Sequence, residues 1–135
     1  MPISVEESPL VLLMDRRETD AKLITSILEK AGFHVFASSD RAAAINLCRS
    51  AEHSVQLAII DTTLSGIHTA ELSEQIRQVN PAIRVLLMTS PDDQESPRIA
   101  PTAVNVHGRL TRPFRRAQLL GSVLDMVRQP LVRTA

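Results

Sequence analysis

Apolar runs alternate along this chain with stretches whose apolar residues recur every three or four positions, the mark of strands alternating with helices. Leu10-Val11-Leu12-Leu13-Met14 is uniformly apolar and stops at Asp15, as expected of a strand covered on both faces. From Glu18 or Thr19 a helix follows, with Leu23, Ile24, Ile27, Leu28 and Ala31 as its buried stripe and Gly32 as its stop. Phe33 to Ala37 is a shorter, mixed second strand containing His34. Ser39 or Asp40 can cap the next helix, which should bury Ala44, Leu47, Cys48 and Ala51.

Leu57 to Ile60 is the third strand and delivers a carboxylate, Asp61, to its end. After the Ser65-Gly66 turn signal a helix carries Leu72, Ile76 and Val79 and closes at Pro81. Val85 to Met88 is the fourth strand, ending on Thr89-Ser90. The helix expected next is interrupted by Pro91, Pro97 and Pro101, so it should be short or irregular. Val104 to Leu110 is a mixed fifth strand, and the last helix buries Leu119, Leu120, Val123, Leu124 and Val127.

Strict alternation of this kind predicts an α/β fold, a five-stranded parallel sheet with helices on both faces and right-handed crossovers. The first, third and fourth strands are uniformly apolar and belong inside the sheet. The second and fifth admit His34, Asn105, His107 and Arg109 and suit its edges. The order that satisfies this is 2-1-3-4-5, the flavodoxin-like arrangement. At 135 residues the chain fits one domain, read as a flexible leader at 1–8, the domain at 9–128 and a loose tail at 129–135.

Charge and composition narrow the function. The formal net charge is zero and aromatics are 2%, which leaves no stacking platform or broadly basic surface, so nucleic-acid binding by this domain is not expected. Arginines concentrate after residue 108, a basic but solvated face. The single Cys48 cannot form an internal disulfide, no apolar run approaches the length of a membrane span, and no signal-peptide pattern opens the chain, so a cytoplasmic location is expected. His34, His53, His68 and His107 lack metal-ligand spacing.

In a parallel sheet all the strands' carboxyl ends share one rim, and here those ends are polar: Asp15-Arg16, Asp61 to Thr63, Thr89-Ser90 and Thr111-Arg112. A central carboxylate flanked by a hydroxyl and a guanidinium can accept and hold a phosphoryl group. With Val11 to Asp15, Ile59-Ile60-Asp61, Leu87 to Ser90 and Arg112-Pro113-Phe114 in this order and spacing, the sequence resembles the receiver domains of two-component response regulators over about residues 9 to 128. The resemblance implies Asp61 as phosphoacceptor, Thr89 as the hydroxyl that tracks the phosphoryl group and Arg112 in place of the usual lysine. It implies magnesium held by Asp15, Asp61 and the Thr63 carbonyl, and a cis peptide before Pro113. It further implies a sensor histidine kinase or phosphotransfer protein as partner, and a downstream protein, or a second copy, on the 94–128 face. The chain would be a signalling module and not an enzyme, beyond phosphotransfer to its own Asp61.

The sequence also departs from that family. Arg16 stands where a second acid usually follows Asp15, Ser65 replaces a proline, Thr69 a glycine and Arg109 the aromatic switch residue. A guanidinium near a metal site is costly, since two unit charges about 4 Å apart interact by roughly 4 kcal/mol at an effective dielectric near 20. Arg16 is therefore expected to pair with Asp61 or Asp15 in place of magnesium, leaving metal-dependent phosphorylation weak or absent and signalling constitutive. The competing class is an aspartate-nucleophile phosphatase of the haloacid dehalogenase type, although Thr63 holds the position where such enzymes want a second acid.

Overall fold

The computed structural model describes residues 9–50, 55–63, 69–90 and 107–128. Among these residues the chain forms β1 (Leu10–Met14), α1 (Glu18–Lys30), β2 (His34–Ser38), α2 (Arg41–Ser50), β3 (Val55–Asp61), α3 (Thr69–Val79), β4 (Arg84–Thr89), β5 (Gly108–Thr111) and α4 (Arg116–Arg128). The strands make one sheet in the order β2-β1-β3-β4-β5, every pair parallel, as the apolar pattern predicts.

Because successive side chains on a strand point to opposite faces, the central strands sort their residues into two separate cores. Val11, Leu13, Leu57, Ile59, Leu86 and Met88 face one side, where Ile24 and Leu28 of α1 and Leu119 and Val123 of α4 close over them. Leu12, Met14, Ala58, Ile60, Val85 and Leu87 face the other, against Ala44 and Cys48 of α2 and Leu72 and Ile76 of α3. A strand buried on both faces has no place for a polar side chain until it ends. That is why, apart from Gln56 and Arg84 at the amino ends of β3 and β4, the polar residues of β1, β3 and β4 gather at or just past their carboxyl tips.

The end of α1 follows its sequence signal. Gly32 adopts φ +100°, a left-handed conformation that favours glycine, and the amides of Ala31, Gly32 and Phe33 return to carbonyls of Leu28 and Glu29. The predicted stripe of α1 is rotated, however. Ala21, Ile24 and Leu28 are buried at three- and four-residue spacing, whereas Leu23 is 62% exposed and Ala31 lies exposed at the helix end. In α2, Leu47 is half-buried rather than core.

The fifth strand also differs from expectation. Among the described residues it runs Gly108–Thr111, one position past the expected end at Leu110, because its pairing with β4 continues to Thr89↔Thr111. Residues 104–106 lie outside the described residues, as do the leader at 1–8, the proline-interrupted region at 91–106 and the tail at 129–135.

His107 anchors the entry to β5. Its amide donates to the Val85 carbonyl at 2.9 Å, and the Val85 amide donates to Nδ1 at 3.0 Å. Arg77 Nη1 faces Nε2 at 3.1 Å. Both neighbours of the ring are donors, and a neutral imidazole has only one acceptor nitrogen to offer them. A second proton would remove that one, so burial first, and then the charges of Arg77 and Arg84, lower the His107 pKa from its ordinary value. The neutral form is thus favoured by folding. Its contribution is complete above about pH 6.5 and is lost as pH falls through the lowered folded value. Urea unfolding at about pH 7 and about pH 5 should show a smaller loss of stability in His107→Gln than in the wild type.

Candidate acid pocket at the strand ends

Three polar side chains reach the carboxyl rim from the middle of the sheet and are almost fully buried there: Asp15 just after β1, Asp61 closing β3 and Thr89 closing β4, with 6%, 1% and 2% exposure. Isolated carboxylates so placed would be strongly disfavoured, so their partners define the site. Asp15 Oδ1 accepts the Arg17 amide at 2.9 Å, in the tight turn that leads into α1. Asp61 Oδ1 accepts both the amide of Thr63 at 2.9 Å and its hydroxyl at 2.8 Å.

The remaining oxygens turn toward one guanidinium. Arg112 Nη2 donates to Asp15 Oδ2 at 3.2 Å and lies 3.8 Å from Asp61 Oδ2, while Nη1 donates to Asp20 Oδ2 on α1. Its backbone amide donates to the Thr89 carbonyl at 2.7 Å, and Met88 Sδ lies 3.8 Å from Nη2. This single residue therefore ties β1, β3, β4 and α1 together across up to 97 positions of sequence. Burial alone would lower the arginine's pKa, but Asp15 and Asp61 more than reverse that and raise it. Burial pushes the Asp15 carboxyl up from its ordinary value against the lowering effects of the Arg17 amide and of Arg112.

Arg16 does not play the part expected of it. It is exposed, and among the described residues no ion pair joins it to Asp15 or Asp61. The reason is local: the turn closed by the Arg17 amide holds Asp15 in the pocket and directs the next side chain to solvent. Arg112, which stands in place of the usual lysine, is the cation that meets the acids. A forked guanidinium can address Asp15 and Asp20 at once, which a compact ammonium does less well. The peptide before Pro113 is cis, as expected.

Thr89 places its hydroxyl 3.3 Å from that of Thr111 across the β4–β5 pair, and Thr63 meets Asp61 through its amide and hydroxyl. Asp20 was not among the expected site residues. An acid in a helix's first turn is ordinarily read as a favourable partner of the helix dipole, and nothing in the spacing from Asp15 points to Arg112. Cys48 is buried, with its thiol pushed up to about 11, and takes no part.

Magnesium demands near-octahedral oxygen ligands at about 2.0 Å and usually keeps several waters with one or two carboxylates. Asp15 and Asp61 could supply two carboxylates, but the guanidinium stands against Oδ2 of both, and among the described residues no cluster of three or more metal-ligating side chains occurs. As arranged here, the Oδ2 atoms of both acids face the arginine.

A doubly wound parallel sheet that gathers Asp15, Asp61 and Thr89 at three interior strand ends, with a cation from the end of edge strand β5, has the flavodoxin-like arrangement. The chain belongs to the response regulator receiver domain family, whose model matches residues 11–124. It is 25% identical over 124 residues to the probable transcriptional regulatory protein TcrX of Mycobacterium tuberculosis, covering 92% of this chain and 52% of TcrX. It is 29% identical over 113 residues to ethylene receptor 2 of Oryza sativa, covering 81% of this chain and 14% of that receptor. The chain thus spans about half of the first relative and a small part of the second. Among solved structures, a receiver domain from Clostridium thermocellum superposes with TM-score 0.78 at 18% identity, covering 88% of this chain and 94% of that one. A Thermotoga maritima response regulator gives 0.72 at 21%, covering 90% and 99%. These structures establish the fold. The family is a signalling module of two-component systems, and the phosphatase alternative finds no support in any of these matches. Among the described residues no helix is long and apolar enough to cross a membrane.

Removing the guanidinium should leave two buried carboxylates without their counter-charge. Arg112→Ala should lower stability by about 3 kcal/mol in urea unfolding. Millimolar magnesium should restore part of that loss in the variant and leave the wild-type midpoint unchanged.

Proposed function

We propose that this chain is a receiver module that signals through protein contacts without magnesium-dependent phosphorylation of Asp61. The observation that carries this reading is the Arg112 guanidinium set against both Asp15 and Asp61. Asp61 keeps the phosphoacceptor position, but its Oδ1 is engaged by Thr63 and its Oδ2 faces a fixed cation. A nucleophile held this way is electrostatically satisfied in the ground state, and the guanidinium set against both acids opposes a dication that would neutralise an incoming phosphoryl group. Arg112 cannot stand in for that metal during transfer, because its charge is already balanced by three acids.

The signalling surface in this reading is the 94–128 face, of which β5 and α4 are described. Arg109, exposed on β5, replaces the aromatic residue whose reorientation would report phosphorylation. The upstream partner is a sensor histidine kinase or phosphotransfer protein, and the downstream partner a protein bound in the unphosphorylated form.

Incubation with acetyl phosphate and magnesium, followed by intact mass measurement, should yield no phosphoryl adduct on the wild-type chain. An adduct that forms on the wild type and disappears in Asp61→Asn would overturn the proposal.

A further inference from the structure

One flank of α1 and the turn after β5 enclose a groove of about 530 Å³, within the range of small-ligand sites; it meets the acid pocket at Arg112 and Asp20, while Asp61 and Thr89 do not line it. Its floor is apolar, made by Leu23, Ile24 and Ile27 of α1 and by Phe114. Leu23 is 62% exposed there, one of the two large apolar side chains the described surface leaves open to water. An exposed leucine alone means little, but here it borders a walled groove.

The polar residues of the groove are unbalanced in charge. Arg17, Lys30, Arg112 and Arg116 line it against one acid, Asp20; that acid pairs with Arg112 and approaches Arg17 at 4.0 Å, which leaves Lys30 and Arg116 as the cations it does not meet. The groove therefore presents uncompensated positive charge beside apolar floor. Apolar surface gains by being covered, and the cations select the sign of what covers it.

We propose that this groove binds a small amphipathic anion, with a single apolar chain on Leu23, Ile27 and Phe114 and a phosphate or carboxylate head at the basic rim. A neutral chain would gain only the floor. A cationic one would be repelled by the rim. α1 spans about 20 Å, enough for a chain of about eight carbons to lie along its middle turns with the head still over a basic residue.

Octyl phosphate, kept below its micelle-forming concentration, is the probe, titrated into the ¹⁵N-labelled chain and followed by amide shifts. The shifts should saturate and cluster on α1 and on residues 112–116, and octanol should bind at least about tenfold more weakly. Lys30→Glu and Arg116→Glu should each weaken octyl phosphate severalfold and leave octanol unchanged, while Leu23→Glu should weaken both. These exposed positions can be checked for an unchanged thermal midpoint. Equal binding of octanol and octyl phosphate, shifts centred elsewhere, or affinity for anionic vesicles without saturable octyl phosphate binding would each overturn the proposal.

Discussion

Two carboxylates buried side by side require a positive charge, and almost every feature of this pocket follows from where that charge comes from. The double-sided burial of β1 and β3 leaves Asp15 and Asp61 nowhere to go but the rim, out of contact with bulk water. The positive charge is supplied by Arg112, held by its backbone amide to β4 and by its other guanidinium nitrogen to Asp20. Removing one partner from such a set is far more damaging than never having built it, because the remaining charges stay buried. The pocket is thus a structural fastening as well as a candidate site.

A cation attached through the polypeptide differs from one borrowed from solution. Magnesium occupancy varies with concentration and competes with waters, whereas the guanidinium is present in every folded molecule at fixed stoichiometry. It also brings directional donors, which is how one side chain can address acids on two different elements.

Much of this architecture was legible in the sequence, and the misses are instructive. Uniform against mixed apolar runs was sufficient to place β1, β3 and β4 inside and β2 and β5 outside, because burial on two faces excludes polar residues physically. The four strand tips could be gathered onto one rim for the same reason. Side-chain direction just beyond a strand could not. Arg16 is adjacent to Asp15 in sequence, yet a turn of one hydrogen bond separates their environments. Arg112 is remote in sequence and adjacent in space. Asp20 carried an ordinary local reading as a first-turn acid, so its long-range role had no sequence signature. The exposure of Leu23 was hidden because helical periodicity fixes spacing better than phase.

The distance in sequence between Arg112 and its acids also bears on how the chain is made. Synthesis delivers β1 and β3 long before residue 112 leaves the ribosome, so during that interval both acids have strands to sit on and no counter-ion of their own. The three inner strands can pair through their apolar faces, but their common tip stays electrostatically open until the last strand arrives. Closing so remote a contact is entropically slow. Docking of β5 is thus the step that brings the pocket its counter-charge, and the edge strand, the shortest of the five, acts as its clasp.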